Sequence, residues 1–126
     1  VVEMRERMRG ELDTSRADEI NLKHCRGGIV DIEFMVQFGV LLWSGEYPDL
    51  LKVTDTLQLL GLFAETGLIP MDDAGALRDA YCAIRRRINH LALQEAPPLV
   101  GLDELAGERA AVAAIWDRLM SPGEGG

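Results

Sequence analysis

Cysteine is nearly absent: Cys25 and Cys82 are the only two in 126 residues. No disulfide framework is expected, and no short Cys or His spacing suits zinc. Excess positive charge is missing as well, since 13 Lys and Arg stand against 21 Asp and Glu for a formal net charge of −8. Such a chain repels a phosphate backbone, so no nucleic-acid partner is expected. The most apolar stretch, Ile29 to Trp43, is interrupted by Asp31, Glu33 and Gln37. It falls short of the roughly 20 residues that cross a bilayer, so no membrane partner is expected. No cationic segment followed by an apolar run opens the chain, and the low cysteine content fits a reducing cytoplasm. The start at Val1-Val2-Glu3, without an initiator Met, reads as a piece cut from a longer chain.

What is present is an ordinary globular balance, 48% hydrophobic and 27% charged residues, at a length suited to one domain with its own core. Val1, Met4, Met8 and Leu12 follow a helical rhythm, and this first helix is expected to end near Gly10 to Asp13. Residues 13–19 are short-chained and polar, which favours a loop, and Ile20 to Lys23 suits a brief extended piece. Ile29 to Trp43 is apolar on nearly all sides and predicts a central helix, with Gly45 as a left-handed stop.

The apolar rhythm from Leu50 to Phe63 predicts another helix, restarted by a cap at Thr54 or Asp55 and ended by Gly67. Pro70 with Asp72 and Asp73 then opens a long helix, because acidic groups favour a helix N-terminus. Its seam is Leu77, Tyr81, Ile84, Ile88 and Leu91, with Arg78, Asp79, Arg85 and Arg86 on the opposite face. Pro97-Pro98 breaks it, a loop runs through Gly101, and Leu105, Val112, Ile115, Trp116 and Leu119 mark a last helix. No segment alternates convincingly at period two. The fold class is therefore all-α, an antiparallel bundle of about five helices, with residues 1–28 a linker helix and loop, 29–120 the bundle and 121–126 a disordered tail.

The segment with chemical potential is Lys23-His24-Cys25-Arg26-Gly27-Gly28-Ile29-Val30-Asp31-Ile32-Glu33-Phe34. Two cations and a double glycine at the mouth of a helix can receive an anion through outward-pointing amides. The same residues also suit a permissive turn. Asp31 can cap the first turn, and Glu33 can pair with Gln37 or with a buried Arg, for which Arg26 and one of Arg85 to Arg87 are candidates. Arg85-Arg86-Arg87 also suits a solvated face, and His90 a surface position. Asp31 and Glu33 diverge around a helix, so no metal site and no catalytic residue is assigned within these 126 residues.

The run Lys23-x-x-Arg26-Gly27-Gly28-Ile29-x-Asp31-Ile32-Glu33-Phe34-x-x-Gln37 resembles the signature found after the nucleotidyltransferase core in glutamine synthetase adenylyltransferases. Thr54-Asp55-Thr56-Leu57 with Leu59-Leu60, Ala80-Tyr81, Leu91 to Glu95 and Trp116 extend the likeness from about Ile20 to Met120. Uridylyltransferases share a looser Lys-x-x-x-Gly-Gly-x-x-Asp element. The resemblance implies the C-terminal helical domain of an enzyme that moves AMP from ATP to a tyrosine of glutamine synthetase, regulating nitrogen assimilation. A separate half of that enzyme removes the AMP. ATP and Mg2+ are the implied cofactors of the whole enzyme. A preceding nucleotidyltransferase domain in cis, glutamine synthetase and the PII signal protein are its implied partners.

The implied metal-binding Asp-x-Asp does not occur here, so the piece is expected to be inactive alone. Lys23, Arg26, Gly27, Gly28, Asp31 and Glu33 are the implied nucleotide-cleft or domain-junction residues. The family often carries an acidic residue where Asn21 stands, which puts any metal role of that position in doubt. Alternatives are a noncatalytic module that docks glutamine synthetase or PII, and the helical domain of a PII uridylyltransferase.

Overall fold

The computed structural model describes residues 3, 5–7 and 19–120. Residues 3 and 5–7 are helical. The expected end of this first helix, most of the loop after it and the tail at 121–126 lie outside the described residues.

The first complete helix, α1, is Ile29–Trp43, the span that its unbroken apolarity predicts. Its coat is less complete than expected: Ile32, Met35, Val36 and Val40 are buried, whereas Leu41 and Leu42 are 76% and 60% exposed. Gly39 has a packing reason to be glycine. A Cβ there would lie 2.8 Å from the Trp43 ring and 2.9 Å from the Phe63 ring, and those two rings meet edge to face at 5.2 Å. The expected left-handed stop at Gly45 is not found, since the described glycines with positive φ are Gly27 and Gly67. The helix instead ends through Ser44 in a right-handed conformation and passes into a 3-10 turn, Pro48–Lys52, that buries Leu50.

Helix α2, Thr56–Glu65, is capped by Asp55, whose carboxylate accepts from the amides of Leu57 and Gln58. It ends where Gly67 adopts φ 74°. The Leu68 amide donates back to the Phe63 carbonyl at 2.9 Å and the Gly67 amide to that of Ala64 at 3.2 Å, the paired bonds that close a helix over a left-handed glycine. Helix α3, Met71–Leu93, starts directly after Pro70. Of its expected seam, Leu77, Tyr81, Ile84 and Leu91 are buried and Ile88 is half-buried.

Helix α4, Ala106–Met120, buries Val112, Ile115, Trp116 and Met120. Leu119, expected in this stripe, is 41% exposed. Arg118 near the end of α4 forks onto Asp73 in the first turn of α3, at 2.9 and 3.1 Å. Arg87, late in α3, pairs with Glu104 just before α4. These two links run α3 and α4 in opposite directions, as an antiparallel bundle requires.

The all-α class expected of the chain holds, with one small β-ribbon added to the helices. Strand β1, Glu19–Asn21, pairs antiparallel with β2, Leu99–Gly101, placing Ile20 opposite Val100. Glu19, expected in the loop, begins the first strand, and the loop after Pro98 forms the second. The first strand overlaps the brief extended piece expected at Ile20 to Lys23, whereas three residues are too few to display a period of two, so the second does not announce itself. Both central side chains are buried, and the Leu22 amide extends the ribbon by donating to the Pro98 carbonyl at 2.8 Å. The buried apolar residues of ribbon and helices form one cluster.

Candidate functional site

The ribbon delivers the chain to the junction segment, and Asn21 shapes the turn at its entrance. Its side-chain oxygen accepts from the amides of Lys23 at 2.9 Å and His24 at 3.2 Å, while its carbonyl accepts from Cys25 at 2.9 Å. This is the local turn that Asn forms readily. Lys23 is left exposed at its tip, and Leu22 beneath it is buried.

The double glycine is dictated by packing. Gly27 sits at φ 79°, and a Cβ there would lie 2.2 Å from the Arg109 carbonyl oxygen in α4. At Gly28 a Cβ would lie 2.5 Å from the Leu22 carbonyl oxygen and 2.9 Å from that of Lys23. Backbone stands in the way at both positions, so no rotamer change relieves either clash.

The same closeness shuts the helix mouth that the sequence offers to an anion. Ile29 donates to the Leu22 carbonyl at 3.0 Å, Val30 to Lys23 at 3.1 Å and Gly28 to Cys25 at 2.9 Å. Gly27 donates to Oδ2 of Asp31 at 2.8 Å. The amides an anion would use are already bonded inside the chain. What this junction turns outward is side chains.

Asp31 is wholly buried, and its Oδ1 accepts from Nε of Arg5 at 2.8 Å. The buried ion pair expected for Glu33 thus belongs to Asp31, and its cation comes from the first helix. Arg26 reaches Asp117 of α4 instead, Arg87 reaches Glu104, and Arg85 donates to the Tyr81 hydroxyl at 2.7 Å. Glu33 is half-buried and forms no ion pair among the described residues; Gln37, one turn on, is exposed.

Of the six junction candidates, Lys23 and Glu33 line one groove together with Ile29, Val30, Arg85, Ile88 and Asn89. Asp31 faces the interior, and Gly27 and Gly28 serve the backbone. Arg85 and Asn89 also line a second, open cleft of about 620 Å³ along α3, together with Tyr81, Cys82, Arg86 and His90. Residues spaced four apart share a helix face, so Arg85 with Asn89 and Arg86 with His90 present a polar stripe away from the seam. Sequence reasoning treats the arginines as a solvated face and passes over Asn89. The four-residue spacing is the available signal, but nothing local shows that Lys23 lies opposite.

Among the described residues, no three His, Cys, Asp or Glu gather to hold a metal ion. No helix of the described residues is long and apolar enough to cross a membrane.

The chain matches, over residues 1–98, the family model described as GlnD PII-uridylyltransferase. It is also similar to proteins named bifunctional glutamine synthetase adenylyltransferase/adenylyl-removing enzyme. With that of Thioalkalivibrio sulfidiphilus it shares 42% identity across 98% of this chain and 13% of the relative. The Methylococcus capsulatus protein is 42% identical across 93% of this chain and 12% of the relative. That of Pseudomonas aeruginosa is 44% identical across 94% of this chain and 13% of the relative. The chain therefore spans about an eighth of the length of the curated relatives it matches.

Proposed function

The chain belongs to the family described as GlnD PII-uridylyltransferase, and from that membership, together with relatives named adenylyltransferases, we propose that it is the C-terminal helical domain of the adenylylating half of a glutamine synthetase adenylyltransferase. In the whole enzyme, working in the cytoplasm, AMP passes from ATP to a tyrosine hydroxyl of glutamine synthetase. This domain packs on the nucleotidyltransferase domain before it and lines one side of the nucleotide cleft, with PII as a regulatory partner. The observation that carries the reading is the convergence of Lys23 and Glu33 from the junction with Arg85 and Asn89 from α3 around one groove.

The described residues do not fit a magnesium site. Asp31 is committed to Arg5 and Gly27, and Glu33 has no second carboxylate with it in the groove. A two-metal transfer needs several carboxylates around its cations, and the family resemblance assigns these to the preceding domain. What this chain contributes is orientation: Lys23 supplies a point charge suited to a phosphate, and the Gly27-Gly28 turn fixes where that charge stands.

The uridylyltransferase reading is favoured only by the family description, whereas Asp31-Ile32-Glu33-Phe34 and the named relatives favour adenylylation. A protein joining this chain to its preceding catalytic domain distinguishes them by nucleotide: labelled AMP enters glutamine synthetase from ATP, and UTP does not modify PII. Lys23→Ala is expected to weaken ATP use in that protein. Unchanged turnover and ATP affinity would reduce the junction to a structural element.

A further inference from the structure

Many of the described cations are already engaged. Arg5, Arg26, Arg78, Arg87, Arg118 and Lys52 each pair with a carboxylate, and Arg109 donates to the backbone carbonyls of Leu102 and Glu104. Lys23, Arg85 and Arg86 bond no carboxylate among the described residues, and they line two concavities that share Arg85 and Asn89.

Arg85 is held in place without being neutralised. One of its terminal nitrogens donates to the Tyr81 hydroxyl at 2.7 Å, its guanidinium carbon lies 5.7 Å from that ring's centroid, and Tyr81 itself is buried. The remaining donors of the guanidinium stay free for a ligand, in the planar fork that suits phosphate oxygens. Asn89, one turn further on, adds a neutral donor and acceptor on the same face.

Two carboxylates share these walls, Asp55, whose Oδ1 caps α2, and Glu33, which pairs with no described cation, and the three cations Lys23, Arg85 and Arg86 outnumber them. The cleft beyond Arg85 measures about 620 Å³ and has apolar walls at Leu57, Cys82 and Leu93 beside its polar ones. This open concavity gathers cationic and neutral polar groups on one side of α3, within reach of a ligand that carries several anionic oxygens.

From these observations we infer that Arg85, Arg86 and Asn89 of α3 form a phosphate-binding wall that holds the phosphate chain of a nucleoside triphosphate, with Arg85 and Asn89 also lining the groove of Lys23 at the junction. This rests on the nucleotide-cleft reading above and extends it to a helix that the junction signature does not include. Arg85 contacts the ligand, and Tyr81 positions Arg85.

The test uses the full-length protein carrying this chain, with ATP and inorganic tripolyphosphate as probes and thermal melting as a folding control. Arg85→Gln and Arg86→Gln are expected to raise the Kd and KM for ATP by roughly ten- to hundredfold, the range set by loss of a charge-assisted hydrogen bond. Tripolyphosphate should compete with ATP in the unsubstituted protein and lose its grip in parallel. Arg85→Lys should recover part of the loss, and the KM for the protein substrate should stay within about twofold. If ATP binding is unchanged in both α3 variants but weakened by Lys23→Ala, the wall is refuted and the junction reading stands. If Lys23→Ala is also silent, both fall. A rise confined to the KM of the protein substrate refutes a nucleotide site and makes the stripe a protein-docking surface.

Discussion

Nε of Arg5 donates to Oδ1 of Asp31 across 2.8 Å with neither side chain in contact with solvent. Through this pair the first helix is fastened to the first turn of α1, directly beneath the junction that carries Lys23. The other carboxylate oxygen holds the Gly27 amide, so one side chain fixes both the incoming helix and the turn.

Removing Asp31 should therefore be costly. Asp31→Ala leaves a buried guanidinium without its anion and is expected to lower stability by about 3–5 kcal/mol. Asp31→Asn keeps an acceptor and should lose distinctly less. Urea denaturation of the two variants decides it, and a loss of under about 1 kcal/mol for Asp31→Ala would contradict the pairing.

At Gly27 the backbone itself is the obstacle. Gly27→Ala meets both a positive φ and a carbonyl oxygen at 2.2 Å, so a loss of roughly 2–4 kcal/mol is expected from strain and displacement of α4 together. Gly45→Ala, whose Cβ would meet nothing within 4 Å, serves as the control. It should be neutral or slightly stabilising in the same thermal melt.

Asp55 should matter locally. Asp55→Ala removes the acceptor for two amides at the start of α2, worth about 1 kcal/mol. Hydrogen exchange should report it as faster exchange at Leu57 and Gln58, with the amides of α3 unaffected. Uniform loss of protection across both helices would mean that the cap supports more than its own turn.

Tyr81→Phe separates positioning from binding. The ring stays and the bond to Arg85 goes, so stability should fall by only about 0.5–1.5 kcal/mol. ATP affinity of the full-length protein should drop roughly two- to tenfold, less than in Arg85→Gln. Equal losses in the two variants would argue against an indirect role for the tyrosine.

Much of the helical frame is legible in the sequence because helices declare themselves locally. The α1 span, the Asp55 cap, the Gly67 stop and the start of α3 after Pro70 all depend on residues within one turn of the feature. What the sequence hides is non-local. The partner of Asp31 lies in a different helix, and the two strands of the ribbon are separated by three helices. The closed mouth of α1 depends on carbonyls of Leu22, Lys23 and Cys25 folding back over it, which the glycines alone do not reveal. The candidate groove is half visible for the same reason: Lys23 and Glu33 stand in the signature, while Arg85 and Asn89 reach them only through tertiary packing.

The ribbon joining Ile20 to Val100 also bears on the order of assembly. Helices α2 and α3 join by a short connection and can associate as neighbours in sequence, whereas the two strands meet only when the long stretch of chain between them has closed. Ribbon closure is thus the high-contact-order step, formed late in folding and favoured once the helices have shortened the path between its ends. Because Leu22 and Asn21 emerge from that ribbon, the turn presenting Lys23 is expected to settle with it, which would tie readiness of the groove to ribbon closure.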